Sequence, residues 1–536
     1  MNHGQADARV DDGADITANS LRDRLATFLD DNQVLVGDAG EALYTDVYRA
    51  LETPVAVVRP HTVEELQAVV RCCHEQGTAI SVRGGGASYT DGYLPRDSGQ
   101  LLLDLSQLNR IVEINEQDAC VTVEAGVTWE ALKRALDERD LRTPFWGPVS
   151  GLLATVGGSV AQNTISHGAG AHGISAQSVQ SLDVVLADGS LLQTGSASLD
   201  GGPFLRHAGP DLTGLFTGDC GAFGIKARIT LPLLRRRAAH RTISFAFPDF
   251  DAMHESMRRI ALERLEDTHC ALDGALSRGQ IARQDSAGNT FKVAMSILTT
   301  SPSWFAGVRQ LVRSAISARR VISRSAYMTH YIVEGVGKAE ADVRLQRIRE
   351  LVMGLGREIP ATVPSVIRGM PFAPFFNTLG PEGERWVPLH GILPHSRASG
   401  FHAALETFFQ ERATDMARLG IWHGSMFATV GSSGFLYELA LYWPDETSAY
   451  HRDVVPADYL EALPRYPANP EARDYIHRLK EDLIALYAAH GASHFQLGKV
   501  YPYASALSPP ALALVEAIKR ATDPRGALSP GVLGLS

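Results

Sequence analysis

Short apolar runs alternate with amphipathic helical patterns through the first 230 or so residues, and that alternation organises the chain. Residues 54–58 (PVAVV) read as a strand that stops at Arg59-Pro60. Thr62 and Glu65 then form a T-x-x-E capping pair. Val63, Leu66, Val69 and Val70 fall on one face of a helix running to Glu75, with Gly77 beyond its end. A second apolar run, 78–82, completes a β-α-β entry into the stretch VRGGGASYTDG at 82–92. Runs at 101–105, 111–114 and 120–124 predict three further strands, Thr128 predicts a helix cap with the helix through Leu136, and 179–186 followed by Asp188-Gly189 predicts a strand and hairpin turn. Ahead of these, residues 1–49 form an N-terminal arm, loose to about residue 19, with a first helix at 21–29.

The glycine run is the first stretch with chemical meaning. Gly84, Gly85 and Gly86 allow positive φ and close approach of backbone to a ligand, so several N–H groups can face one anion. A glycine loop at the end of a strand is where α/β proteins hold phosphates; taken alone, the run reads equally well as a surface turn. Residues 151–164 and 167–173 (HGAGAHG) are too small to fill a core, which suits either an extended cofactor along the backbone or a tightly packed helix start. A further glycine loop at 218–224 runs into a strand ending at Leu231.

Composition narrows the class. A chain of 536 residues with 45% hydrophobic and 21% charged residues has room for two or three cores. Its net charge of −10, with Arg235-Arg236-Arg237 the one short basic cluster, argues against nucleic acid as a partner. Five cysteines without a C-x-x-C pair give neither a zinc motif nor a dithiol motif. The polar N-terminus and the lack of an 18-residue apolar run predict no leader and no membrane span, hence a cytoplasmic protein.

The order of the motifs is informative where each alone is weak. The glycine loop (83–92), TVGGS with its His-Gly continuation (155–173), VLADG (185–189) and LFTGDCGAFGI (215–225) together resemble the FAD-binding domain of the vanillyl-alcohol oxidase/p-cresol methylhydroxylase superfamily. The ending DPRGALSPG at 523–531 matches that family's closing pattern. The resemblance implies an α+β protein: an FAD-binding domain of two subdomains at 50–234, an antiparallel-sheet cap at 235–484 over the flavin, and a return to the FAD-binding domain at 485–536. Cap strands are expected at 241–247, 292–298 and 435–442, helices near 251–265, 303–318 and 340–355, and a Pro-rich loop at 359–374.

Carried onto this sequence, the resemblance implies FAD contacts from Arg83, Gly84, Gly85, Gly86, Ala87, Ser88 and Tyr89 in the first loop. Pro148, Thr155, Val156, Gly157, Gly158 and Ala161 follow, then His167, Gly168 and Gly173, and finally Gly221, Gly224 and Ile225. The expected reaction is hydride transfer from a C–OH or activated benzylic carbon of a small, aromatic alcohol or phenol to the flavin, with oxygen, a quinone or a cytochrome as the open choice of acceptor and a homodimer as the assembly the family suggests. The alternatives are a 2-hydroxy-acid or sugar-type dehydrogenase on the same fold, and a flavin-binding subunit without turnover.

Departures from the family sharpen the picture. Ala87 stands where some members carry a flavin-linking histidine, and no cysteine lies near 149–151. Matching residues 428–437 to the cap segment that links flavin in another branch puts Tyr437 at or near a linking position, the alternative being a strand aromatic beside noncovalent FAD. Thr429, Ser432 and Leu436 replace the His, Asp and His of the hydroxy-acid enzymes' metal motif, so no metal is expected, and His390 and His395 are a poor substitute. Phe495 and Gln496 occupy the place of a phenolate-binding Tyr-Arg pair, leaving Lys499 or Arg368 to supply a positive charge. Tyr437, Glu438 and Gln496 are the catalytic candidates, and strand alternation lets only one of Tyr437 and Glu438 face the site.

Overall fold

The computed structural model describes residues 21–284, 325–372 and 378–535. A first sheet contains β1 (Val34–Leu35), β2 (Ala56–Val58), β3 (Ile80–Arg83) and β4 (Leu101–Asp104) in the order β1-β2-β4-β3, with β2, β4 and β3 parallel. The helix Val63–Gln76 joins β2 to β3. Its cap differs from the box in one detail: Thr62 Oγ1 accepts the Glu65 N–H at 3.1 Å, while the Glu65 carboxylate takes the N–H of His61, not of Thr62, at 2.8 Å. Gly77 ends the helix at φ 69°, which glycine adopts without strain.

A second sheet, wholly antiparallel, contains β5 (Ile111–Asn115), β6 (Cys120–Glu124), β8 (Ser181–Val185), β9 (Leu191–Gln193) and β10 (Ile225–Pro232) in the order β5-β6-β10-β8-β9. The short strands β7 (Leu141–Arg142) and β11 (Leu234–Arg235) pair with each other. One hydrophobic core serves both sheets, and Leu528, Val532 and Leu533 from the far end of the chain are part of it. Those residues dock on the outer edge of β3: the Ile80 N–H donates to Ala527 O at 2.8 Å and the Ser529 N–H to Ile80 O at 2.7 Å.

A second core lies against a seven-stranded antiparallel sheet. Its strands are β12 (Ala239–Phe247), β13 (Thr268–Asp273), β14 (Tyr327–Gly335), β15 (Arg357–Ile359), β16 (Arg385–Pro394), β17 (Trp422–Val430) and β18 (Gly434–Trp443), in the order β15-β12-β14-β13-β17-β18-β16. Helices Phe250–Glu263, Lys338–Val352, His395–Arg418 and Pro470–Ala489 cover the core face. The strand expected at 292–298 and the helix at 303–318 lie outside the described residues. The expected loop at 359–374 is corrected in its middle, where Thr362–Gly369 is a helix. Pro364 does not forbid it, because a proline in the first turn removes an N–H that has no intrahelical acceptor anyway.

Candidate active site

A cavity of ≈ 540 Å³ opens between the glycine loops and the face of the large sheet turned away from its helices. One wall is the first loop, from Gly84 to Tyr89. Among the described residues, the N–H groups of Gly85, Gly86, Ala87 and Ser88 have no protein acceptor. Four successive amides on a cavity wall form a concavity for anionic oxygens, since buried backbone donors are otherwise almost always paired. Gly85 is fixed by contact: a Cβ there would lie 1.8 Å from Leu153 O. Arg83 is not at the wall; it is buried beneath the loop, donating to Gly84 O at 3.2 Å and Asp104 Oδ1 at 3.3 Å.

The small-residue stretch forms the next wall, with Pro148, Thr155, Gly157, Gly158 and Ala161 on the cavity. Thr155 caps the helix Val156–Gln162 by accepting the Gly158 N–H at 3.1 Å, and the Gly157 N–H donates to Ala125 O at 2.9 Å. The amides at this helix start are therefore occupied, and the cradle is the first loop. Val156 points into the core, and Gly168 and Gly173 are turn positions, at φ 86° and 81°, away from the wall. His167 does reach the cavity. Its Nε2 bonds Pro371 O at 2.8 Å, its ring stacks on Trp146 at 4.4 Å, and burial lowers it to about 4, so the imidazole is neutral. Gly221, Gly224 and Ile225 close this side.

These walls suit FAD: an amide-lined, acid-free loop for the diphosphate and small residues along which an extended molecule can lie.

The opposite wall comes from alternate positions on the large sheet. On β18, Leu436, Glu438, Ala440 and Tyr442 face the cavity, while Phe435, Tyr437, Leu439 and Leu441 enter the helix-covered core. Met426, Ala428, Cys270 and Leu272 add to this wall, and Val363, Val366 and Ile367 of the helix Thr362–Gly369 form its side. The wall is overwhelmingly apolar. Its carboxyl group among the described residues is Glu438, which burial raises to about 7. Gln496, held at φ 49° with its N–H on Gln162 O at 2.7 Å, and Tyr89 stand beside it. Burial first and then the Glu438 charge push the Tyr89 phenol well above its ordinary range, and its hydrogen bond with Gln496 opposes them.

Several expectations need correction. Tyr437 is fully buried on the far side of the sheet, its hydroxyl 2.9 Å from His402 Nδ1, so it cannot link or touch a flavin in this cavity. Lys499 is not a substrate cation: its Nζ donates to Asp91 O at 3.0 Å and Leu94 O at 2.7 Å. Arg368 pairs with Glu334 at 3.1 Å outside the cavity. Among the described residues, the cation on the cavity wall is Lys226, buried and paired with Asp219. His390 and His395 do not converge: His390 stacks on Phe495 at 3.8 Å, and His395 Nδ1 lies 3.0 Å from His254 Nε2. The sequence reading missed β13, whose Thr268, His269 and Cys270 reach the wall. His269 Nε2 accepts the Thr429 N–H at 2.6 Å. The signal for β13 was only six residues long and interrupted by polar side chains.

Comparison with known proteins supports FAD as the cofactor. Residues 54–195 match the family model described as an FAD binding domain. The chain is 29% identical over 233 residues to the glycolate oxidase subunit GlcD of Bacillus subtilis, covering 42% of this chain and 47% of that protein. It is 30% identical over 298 residues to 1'-carboxy-chondrochloren decarboxylase of Chondromyces crocatus, covering 51% and 54%. The chain thus spans between about a third and a half of the length of the curated relatives it matches. Among solved structures, p-cresol methylhydroxylase with substrate bound superposes with a TM-score of 0.72 at 19% identity, covering 97% of each chain. The isoeugenol complex of 4-ethylphenol oxidase from Gulosibacter chungangensis gives 0.72 at 18% identity over 99% of each. These last two likenesses are of fold.

Proposed function

We propose that this chain, an FAD-linked protein of the vanillyl-alcohol oxidase/p-cresol methylhydroxylase superfamily, oxidises a C–OH or activated benzylic carbon of a small, uncharged and largely apolar molecule, an aromatic alcohol or phenol. The observation that carries the reading is that, among the described residues, the wall facing the glycine loops is apolar with Glu438 as its carboxyl group, and the cation lining the cavity from β10, Lys226, is already paired with Asp219. A carboxylate substrate would bury its charge there without a partner, next to Glu438. Bound FAD supplies the hydride acceptor. Glu438, poised near neutrality, takes the proton of the substrate hydroxyl. Tyr89 and Gln496 orient that hydroxyl by hydrogen bonds, and Leu436, Ala440, Val363 and Val366 hold the apolar body and exclude water.

The names of curated relatives favour a second reading, a 2-hydroxy-acid dehydrogenase lacking the usual metal ligands. Anaerobic titration of the FAD-loaded protein separates the readings. Loss of the visible flavin absorbance with 4-hydroxybenzyl alcohol or benzyl alcohol, and not with glycolate or D-lactate, is the expected result. Bleaching by the hydroxy acids alone would replace this reading with the second, and no bleaching by either class would leave a flavin-binding protein without this chemistry.

A further inference from the structure

A second cavity, also ≈ 540 Å³, lies across the helix Thr362–Gly369 from the first. Its floor is apolar and aromatic, made by Trp129, Leu132, Leu136, Leu141 and Trp146. Its lining carries six cationic side chains, Lys133, Arg142, Arg236, Arg241, Lys338 and Arg368, against the carboxylates of Asp137 and Glu334. This excess is found in a protein whose net charge is −10. Ion pairing consumes most of it, leaving Lys338. Arg142 holds Asp267 at 2.6 Å and Glu334 at 2.7 Å, Arg368 holds Glu334 at 3.1 Å, Arg241 holds Asp342 at 2.6 Å, Arg236 reaches Asp137 at 3.1 Å and Asp140 at 3.5 Å, and Lys133 pairs with Asp137. Asp267 and Asp342 stand behind these cations and not on the lining, and Lys338 makes no ion pair among the described residues.

We infer that this cleft is a second ligand site, for a small amphipathic organic anion with an aromatic or aliphatic body against the two tryptophans and an acidic group at the Lys338–Arg236 rim. Low-dielectric walls with a concentration of one sign of charge focus the field on a ligand of opposite sign, and the volume suits a small molecule. The neutral, apolar first cavity selects against the same molecule. Two contacts join the sites. The helix Thr362–Gly369 presents Val363, Val366 and Ile367 to the first cavity and Arg368 to the second. Trp146, on the second floor, stacks on His167 of the first wall at 4.4 Å. Occupancy of the cleft therefore fixes Arg368 and with it the helix that walls the substrate.

The test uses the FAD-loaded full chain without substrate and follows binding of naphthalene-2-sulfonate and of its neutral analogue 2-naphthylmethanol by calorimetry. The sulfonate is expected to bind more tightly than the alcohol in moderate salt. Combined Lys338→Glu and Arg236→Glu is expected to weaken the sulfonate by about tenfold or more, and the milder Lys338→Gln by less, without affecting the alcohol. Ala440→Phe, which fills the first cavity, is expected to leave sulfonate binding in place. Sulfonate affinity indifferent to the rim charges, or abolished by Ala440→Phe, would overturn the inference. Neither readout depends on turnover, so the result stands apart from the proposed oxidation.

Discussion

Tyr437 and Glu438 are neighbours on β18 and serve opposite sides of one sheet. The Tyr437 hydroxyl meets His402 Nδ1 at 2.9 Å inside the helix-covered core, and the Glu438 carboxyl faces the cavity. Flavin is therefore expected to be held without a bond to Tyr437. After acid precipitation of the holoprotein the colour is expected in the supernatant, and Tyr437→Phe is expected to retain full flavin content while losing about 1 kcal/mol of stability with its hydrogen bond. A flavin peptide containing Tyr437 in a digest would refute this placement.

Glu438 sets a pH dependence of defined sign. Burial raises it from 4.5 to about 7 in the folded protein. Below the unfolded value both states are protonated and nothing is lost. Between the two values the unfolded chain ionises first, so stability falls as pH rises and the deficit is complete above about 7. Denaturant melts of Glu438→Gln should therefore match the parent at pH 4 and exceed it at pH 8, by on the order of 1–3 kcal/mol because the carboxyl faces a cavity that water can enter. The same variant is expected to lose turnover by about 10²–10⁴-fold without losing flavin.

Gly85 is the most sensitive position of the cradle. A methyl group there would meet the backbone carbonyl oxygen of Leu153 at 1.8 Å, so Gly85→Ala must displace the loop. Holoprotein yield and FAD affinity, measured by flavin fluorescence, are expected to collapse in this variant. Gly202→Ala, which meets nothing within 4 Å and differs only in its positive φ, should cost roughly 1 kcal/mol of stability and no flavin.

Glycine loops and helix starts were readable in the sequence because they leave a compositional mark: glycines where chains touch, Thr62 and Thr128 where helices begin. The parity of β18 was not, because Phe435 to Tyr442 is apolar or aromatic on both faces apart from Glu438 and so carries no alternating signal. The helix Thr362–Gly369 was hidden by its prolines, which read as a loop although Pro364 falls in the tolerant first turn. Lys499 and Arg368 looked available because nothing in the sequence announces that Lys499 is bound to carbonyls of the 91–94 segment or that Arg368 faces Glu334.

Arg142 lies between Asp267 and Glu334, at 2.6 and 2.7 Å, with both acids buried. Arg142→Met leaves the buried Asp267 without its arginine and Glu334 with Arg368 alone, and a loss of about 3 kcal/mol in denaturant unfolding is expected. Adding Asp267→Asn and Glu334→Gln should recover much of it; failure to do so would show that the arginine's packing, not its charge, is what matters.

Cysteine chemistry should be quiet. Burial pushes the Cys73, Cys220 and Cys270 thiols up to about 12. Iodoacetamide at pH 8 is expected to leave these three unmodified in the native protein and to label them once the chain is unfolded, as read by peptide mass spectrometry.

Residues 527–529 close the edge of β3, the strand that carries the glycine loop, and Lys519 ties the same segment to Ala222 O at 2.8 Å. A ribosome delivers β3 before its edge partner, with the entire seven-stranded sheet between them. During synthesis the nascent nucleotide-binding half must wait with an open strand edge, the kind of surface on which chains aggregate. The cap, whose strands and helices are contiguous between these points, can fold in the interval.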